Sequence, residues 1–152
     1  MDWKFEIKTI KSNNINLRVA IEGEGPLVIM VHGFPELWYS WRHQIKPIAS
    51  AGYRVLALDV RGYGGSDKPY PIDSYGMSDH MADLIGLIDY FEEEKAVLIG
   101  HDWGAPIVWN TATLHKNRIS AVAGLSAPYR KRGPVSNLQA LRQLYKDKFF
   151  YQ

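Results

Sequence analysis

Apolar and polar positions alternate from Phe5 to Ile10 and again from Ile15 to Ile21, on either side of Lys11-Ser12-Asn13-Asn14. A period of two is that of a half-buried strand, so the pattern predicts an antiparallel hairpin closed by a tight turn. Three shorter runs, Leu27 to Val31, Tyr53 to Leu58 and Ala96 to Ile99, are apolar without interruption. Such runs suit strands covered on both faces of a parallel sheet. Ile119 to Leu125 is a weaker fourth run. Between them the apolar spacing changes to three and four, at Leu37, Trp41, Ile45 and Ile48, then at Met81, Leu84, Ile85, Ile88 and Phe91. These spacings predict amphipathic helices. Ser78 stands where it could cap the second helix, with Asp79 in its first turn. A third helix is expected from near Gly104 to about Leu114, with Pro106 tolerated in the first turn, where amides lack helical partners.

Strands alternating with helices of this length predict right-handed crossovers and an α/β fold with a mostly parallel, doubly wound sheet. Ligands are then expected at the carboxyl ends of the strands. After Ser126 the segment Ala127-Pro128-Tyr129-Arg130-Lys131-Arg132-Gly133-Pro134 reads as a loop leaving the sheet, with its basic cluster in solvent. Leu138 to Tyr145 is a last helical stretch. With 152 residues, 46% of them hydrophobic, the chain is long enough to bury a substantial core.

The absence of cysteine excludes disulfides and cysteine-rich metal sites and fits a reducing cytoplasm. The net charge of +2 comes from interspersed signs, which gives no electrostatic case for a nucleic acid or membrane partner. The opening Met1-Asp2-Trp3-Lys4-Phe5-Glu6 carries charge where a secretion signal would be apolar. Every apolar run is also shorter than the ~18 residues that would suggest a membrane span. A soluble cytoplasmic protein is the expectation.

The candidate chemistry lies in Gly100-His101-Asp102-Trp103-Gly104, which follows an apolar strand and precedes a helix. Small residues on either side of a central functional side chain mark a strand-to-helix elbow, which presents that side chain at the sheet edge. The five residues can also be read as a plain strand-helix turn with Asp102 as a helix cap. The earlier His32-Gly33-Phe34-Pro35, likewise after an apolar strand, favours the elbow. An ionised carboxylate is a nucleophile near neutral pH without a base to activate it. Attack on a saturated carbon would leave an alkyl ester on Asp102. Water must then attack the ester carbonyl, so backbone amides should face that oxygen, and the expected donors are Trp103 and Phe34.

Arg61-Gly62-Tyr63-Gly64-Gly65-Ser66-Asp67-Lys68-Pro69 lacks the spacing of a phosphate-binding loop and reads as a turn. The five histidines, His32, His43, His80, His101 and His115, read as structural or solvated. Trp38, Trp41 and Trp109 could line a substrate pocket, though core packing is the simpler assignment.

The motifs together strongly resemble the soluble epoxide hydrolases of the α/β-hydrolase superfamily. The oxyanion-loop segment runs from His32 to Ile45, a glycine-rich motif holds Gly62, Gly64 and Ser66, and the nucleophile motif runs from Gly100 to Ala105. The resemblance implies Asp102 as nucleophile, Phe34 and Trp103 as oxyanion amides, and Trp103 with Trp38 at the substrate. Phe149-Phe150-Tyr151-Gln152 resembles the start of the family's lid. That implies Tyr151 as the phenol protonating the epoxide oxygen and Gln152 as a substrate contact. Residues 1–128 then form the first part of the core, and 129–152 the loop and the beginning of the lid.

The family's second tyrosine, histidine base and orienting acid would lie beyond Gln152, as would its last two core strands. Residues Ile119 to Leu125 would then form an exposed sheet edge. The reading is of the amino-terminal portion of a longer enzyme, either truncated or completed by another polypeptide, in which these residues alone are alkylated but not turned over. The implied substrate is a small apolar epoxide, opened to a vicinal diol without cofactor or metal. Two rivals share the elbow. A haloalkane or haloacid dehalogenase would expel halide and need no proton donor; a non-catalytic truncated fragment would keep the motifs only as scaffold.

Overall fold

The computed structural model describes residues 4–129, together with Gln139, Arg142, Gln143 and Tyr145. The alternating segments form β1 (Glu6–Ser12) and β2 (Ile15–Glu22), paired antiparallel. The turn is two residues long, because Asn13 and Asn14 adopt φ of 45° and 63°. This is the left-handed pair that a tight hairpin needs and that asparagine accepts. The continuous apolar runs become β3 (Leu27–Val31), β4 (Arg54–Leu58) and β5 (Ala96–His101), and the fourth becomes β6 (Ile119–Leu125). One six-stranded sheet results, in the order β1-β2-β4-β3-β5-β6. β2 meets β4 antiparallel, and the pairs from β4 through β6 are parallel.

Side chains alternate across the sheet, which explains why the central strands are apolar throughout. Val28, Met30, Val55 and Ala57 face α1 (Arg42–Ser50), with Ile45 and Trp41. Leu27, Ile29, Val31, Leu56 and Leu98 face the opposite way. They pack with Leu84, Leu87 and Ile88 of α2 (Met77–Tyr90) and with Ile107 and Val108 of α3 (Gly104–Leu114). Burying such a side chain fully is worth about 1.5–3 kcal/mol, so the two clusters hold helices to both faces.

Two local expectations are corrected. Residue 76, not Ser78, precedes α2: Gly76 is extended at φ −66° and ψ 156°, and no side chain caps the helix. The chain turns into the helix at the glycine, which places Ser78 inside the first turn, where Asp79 was expected and is found. The first helix is preceded by a tight 3-10 turn over Trp38–Trp41. At the other side of the sheet, β6 forms the edge among the described residues, and Leu125 is 45% exposed. Among the described residues, no helix is long and apolar enough to cross a membrane.

Candidate active site

β5 ends at His101 and α3 begins at Gly104, so the chain reverses over Asp102 and Trp103. Asp102 adopts φ 49°, a left-handed conformation uncommon outside glycine and tolerated by aspartate. Its amide donates to the Leu125 carbonyl at 3.2 Å, and its carbonyl accepts from the Ala105 amide at 3.1 Å. The flanking glycines are needed for room. A Cβ on Gly100 would overlap the Gly104 carbonyl, and one on Gly104 would overlap the Val31 carbonyl. The turn therefore brings the amino end of α3, with its positive field, against the ends of β3 and β5.

The loop after β3 approaches the same aspartate. The Phe34 amide donates to Asp102 Oδ1 at 2.9 Å. Gly33 allows this approach, since a Cβ there would lie 2.7 Å from that oxygen. Glu36 holds the loop in place: its Oε2 accepts from the Gly33 amide at 2.9 Å and from His101 Nδ1 at 3.1 Å. Burial opposes ionisation of Glu36, but the Gly33 amide and the His101 ring outweigh it and hold its carboxyl below the usual value. One carboxylate thus ties the loop carrying Phe34 to the residue before Asp102.

His32 supports the loop from beneath. The Val60 amide donates to its Nε2 at 3.0 Å, so that nitrogen carries no proton, and Nδ1 donates to the Gly33 carbonyl at 2.8 Å. Burial, the dominant influence, lowers its pKa and keeps the ring neutral. With both nitrogens committed to the backbone, His32 cannot serve as a base.

The loop after β4 closes the third side. Asp59 is fully buried; it accepts from Arg18 Nε at 2.6 Å and from the amides of Trp38 and Gly65, each at 2.9 Å. Ser66 Oγ donates to the Asp59 carbonyl at 2.6 Å. Arg61 is paired with Asp83 of α2 through two bonds of 2.7 and 2.6 Å, and these hold its guanidinium charged. The glycine-rich segment is therefore a turn, as its spacing predicts, built around a buried carboxylate. Between these loops and α2 lies a cavity of about 330 Å³, whose lining includes Gly33, Tyr63, Met77, His80, Trp103 and Ile107. Its lower-end volume and mostly apolar lining suit a small organic ligand.

Residues 26–152 match the family model of the alpha/beta hydrolase fold. The chain belongs to that family. It is 51% identical over 146 residues to Epoxide hydrolase A of Mycobacterium tuberculosis, covering 95% of this chain and 45% of that protein. It is 42% identical over 149 residues to Epoxide hydrolase 2 of Siraitia grosvenorii, covering 97% and 47%. The crystal structure of epoxide hydrolase A from Mycobacterium thermoresistibile superposes with a TM-score of 0.93 at 48% identity, covering 97% of this chain and 47% of that one. The chain thus spans about half the length of the relatives it matches.

In this α/β hydrolase, three of the residues singled out from sequence come together: Phe34 and Asp102 through the hydrogen bond from the Phe34 amide, and Trp103 beside them in the cavity wall. Trp38 does not join them. Its ring packs edge-on to Phe5 and Tyr39 on the α1 face, and only its backbone takes part nearby, through Asp59. Tyr151 and Gln152 lie outside the described residues. Sequence reasoning missed Asp59, the Glu36 clamp and the place of His80 in the cavity wall. An acid directly after an apolar strand, as in Leu58-Asp59, was the available signal for the first.

Proposed function

We propose that this α/β hydrolase opens small apolar epoxides to vicinal diols, with Asp102 as the nucleophile. The observation that carries this reading is the Phe34 amide held 2.9 Å from Asp102 Oδ1. With Oδ1 held by a backbone donor, Oδ2 attacks a ring carbon and the ring C–O bond breaks. The departing alkoxide takes a proton from a phenol, assigned here to Tyr151, because an unprotonated alkoxide leaves poorly. The product is an ester of Asp102. Water then adds to the Asp102 carbonyl carbon, negative charge collects on Oδ1, and the Cγ–Oδ2 bond breaks to release the diol. The Phe34 amide faces that charge, and the Trp103 amide is assigned as the second donor; each such donor is worth roughly 3 kcal/mol.

The water step needs a base. His32 is committed to the backbone and His101 to Glu36, and His80, with its pKa held down to about 4, is a weak base near neutral pH. The base and its orienting acid are assigned, as the family resemblance implies, to residues outside these 152. In the relatives, the matched region and the remainder lie in one polypeptide, which gives no support to a second chain. No step requires a cofactor or metal. The lack of cysteine supports a cytoplasmic setting.

The relatives compared above bear the epoxide hydrolase name, and no observation favours halide release or a non-catalytic scaffold. The test sets diol formation from an epoxide panel beside halide release from a chloroalkane panel, using the complete natural polypeptide. Diol without halide is expected; halide without diol overturns the reading.

A further inference from the structure

The cavity beside Asp102 is not uniformly apolar. Its polar side chains include Arg61, whose guanidinium is held by Asp83 and by the Ser74 carbonyl, and Tyr75, whose hydroxyl donates to the Pro69 carbonyl at 2.8 Å. His32 is committed to the backbone at both nitrogens. His80 differs from these. It lies in the first turn of α2, is partly buried, lines the cavity, and its ring nitrogens make no hydrogen bond among the described residues. Burial first, and then the neighbouring Arg61 charge, lower its pKa to about 4 against the opposing pull of Asp79. At neutral pH the ring is therefore uncharged, with one N–H donor and one bare acceptor nitrogen.

Sequence reading gave His80 only a structural place on a helix. On the wall of an apolar pocket, a neutral imidazole without a protein partner matches a ligand group that both gives and takes a hydrogen bond. A hydroxyl does both. A carboxylate is a poorer match, because it can only accept and so leaves the bare imidazole nitrogen without a complementary partner. The same cavity is walled by Trp103, the residue after Asp102, and by Gly33, where an added Cβ would meet Asp102, so His80 shares this pocket with the surroundings of the proposed nucleophile.

We propose that His80 is a specificity residue that selects epoxides bearing a hydroxyl group on the arm remote from the ring. The proposal rests on the reading of the site as an epoxide hydrolase and names its substrate class more narrowly. A hydroxyl buried against a partner it can bond is favoured over one left unpaired, and a matched alkyl arm leaves the imidazole without that partner.

Two measurements on the complete natural polypeptide keep the proposal and the reading it rests on apart. In the first, calorimetry compares the binding of two unreactive N-alkyl acetamides, alike except for a terminal hydroxyl. The native protein should bind the hydroxyl member about tenfold more tightly, a difference of one hydrogen bond. His80→Leu should erase the difference, and His80→Gln should restore part of it. Melting curves establish that each variant is folded. In the second, kcat/KM is measured for an alkyl epoxide and its terminal-hydroxyl counterpart. His80→Leu should lower the value about tenfold for the hydroxyl substrate and should not lower it for the alkyl substrate, whose arm no longer meets an unpaired imidazole. Equal effects on both members of a pair, or none on either, overturn the proposal. Discrimination between the amides without diol formation from either epoxide sinks the epoxide reading instead and leaves His80 as a hydroxyl-selecting residue.

Discussion

Asp59 and Asp102 follow β4 and β5, the two strands that flank β3. They carry the same functional group to the same edge of the sheet. Asp59 is 0% exposed and is surrounded by the Arg18 guanidinium and the amides of Trp38 and Gly65. Its lone pairs are used in joining the loop after β3 to the loop after β4. Asp102 is partly exposed, on left-handed backbone, beside a cavity and against the amino end of a helix. The difference teaches that burial and donor supply decide whether a carboxylate at a strand end becomes a structural hub or stays open to a ligand, as the nucleophile proposed for Asp102 must be. The hub also supports the surroundings of Asp102, because Trp38 belongs to the loop that carries Phe34.

The sharpest way to break this comparison is to remove each acid. Asp102→Ala should lower diol formation by roughly 10⁴-fold or more in the complete natural polypeptide, as for other single nucleophiles. Its fold should survive at a cost of about 1 kcal/mol, since alanine is strained at this φ. Asp59→Ala should do the reverse in kind. It leaves Arg18 and two amides without their acceptor and should cost about 3 kcal/mol in urea unfolding. Comparable stability losses in the two variants would contradict the division of roles.

Gly33→Ala probes the link between the two regions. The added Cβ meets the Asp102 side chain and must push the Phe34 amide away, so kcat should fall by about 10²-fold and the unfolding midpoint should fall with it. Unchanged kcat would show that the Phe34 contact is incidental.

The smallest expected effect is on pH dependence. His32 and His80 are both shifted below 6.5, His80 to about 4. Between the unfolded and folded values the unfolded chain binds more protons, so stability is full above pH 6.5 and is lost as the pH falls towards 4. Urea midpoints should decline across that window, and His80→Leu should flatten the decline. An identical slope in that variant would mean that His80 is not held neutral.

Much of this was legible because period and punctuation act locally. The hairpin, the buried parallel strands and α3 from Gly104 follow from runs of a few residues. The elbow was legible too, since Gly100 and Gly104 answer to close backbone approach within one turn. What sequence hid depends on distant partners. Asp59 meets Arg18 across 41 positions, and nothing near Leu58 announces that arginine. Ser78 resembled a cap by type, but the entry angle set by Gly76 decided otherwise. Trp38 could be read either way because aromatic side chains suit both pockets and cores, and its packing against Phe5 depends on a contact that sequence does not announce. His80 falls on a helix by periodicity, yet which wall it joins depends on how α2 docks on the loop after β4.

The central claim is that substrate carbon bonds to Asp102 and that water then attacks the Asp102 carbonyl. A single turnover in ¹⁸O-labelled water, with complete natural polypeptide in excess over epoxide, tests both steps at once. The account predicts an unlabelled first-turnover diol and heavy oxygen in the peptide containing Asp102. A labelled diol with an unlabelled Asp102 peptide would mean that water opens the ring directly, and would contradict it.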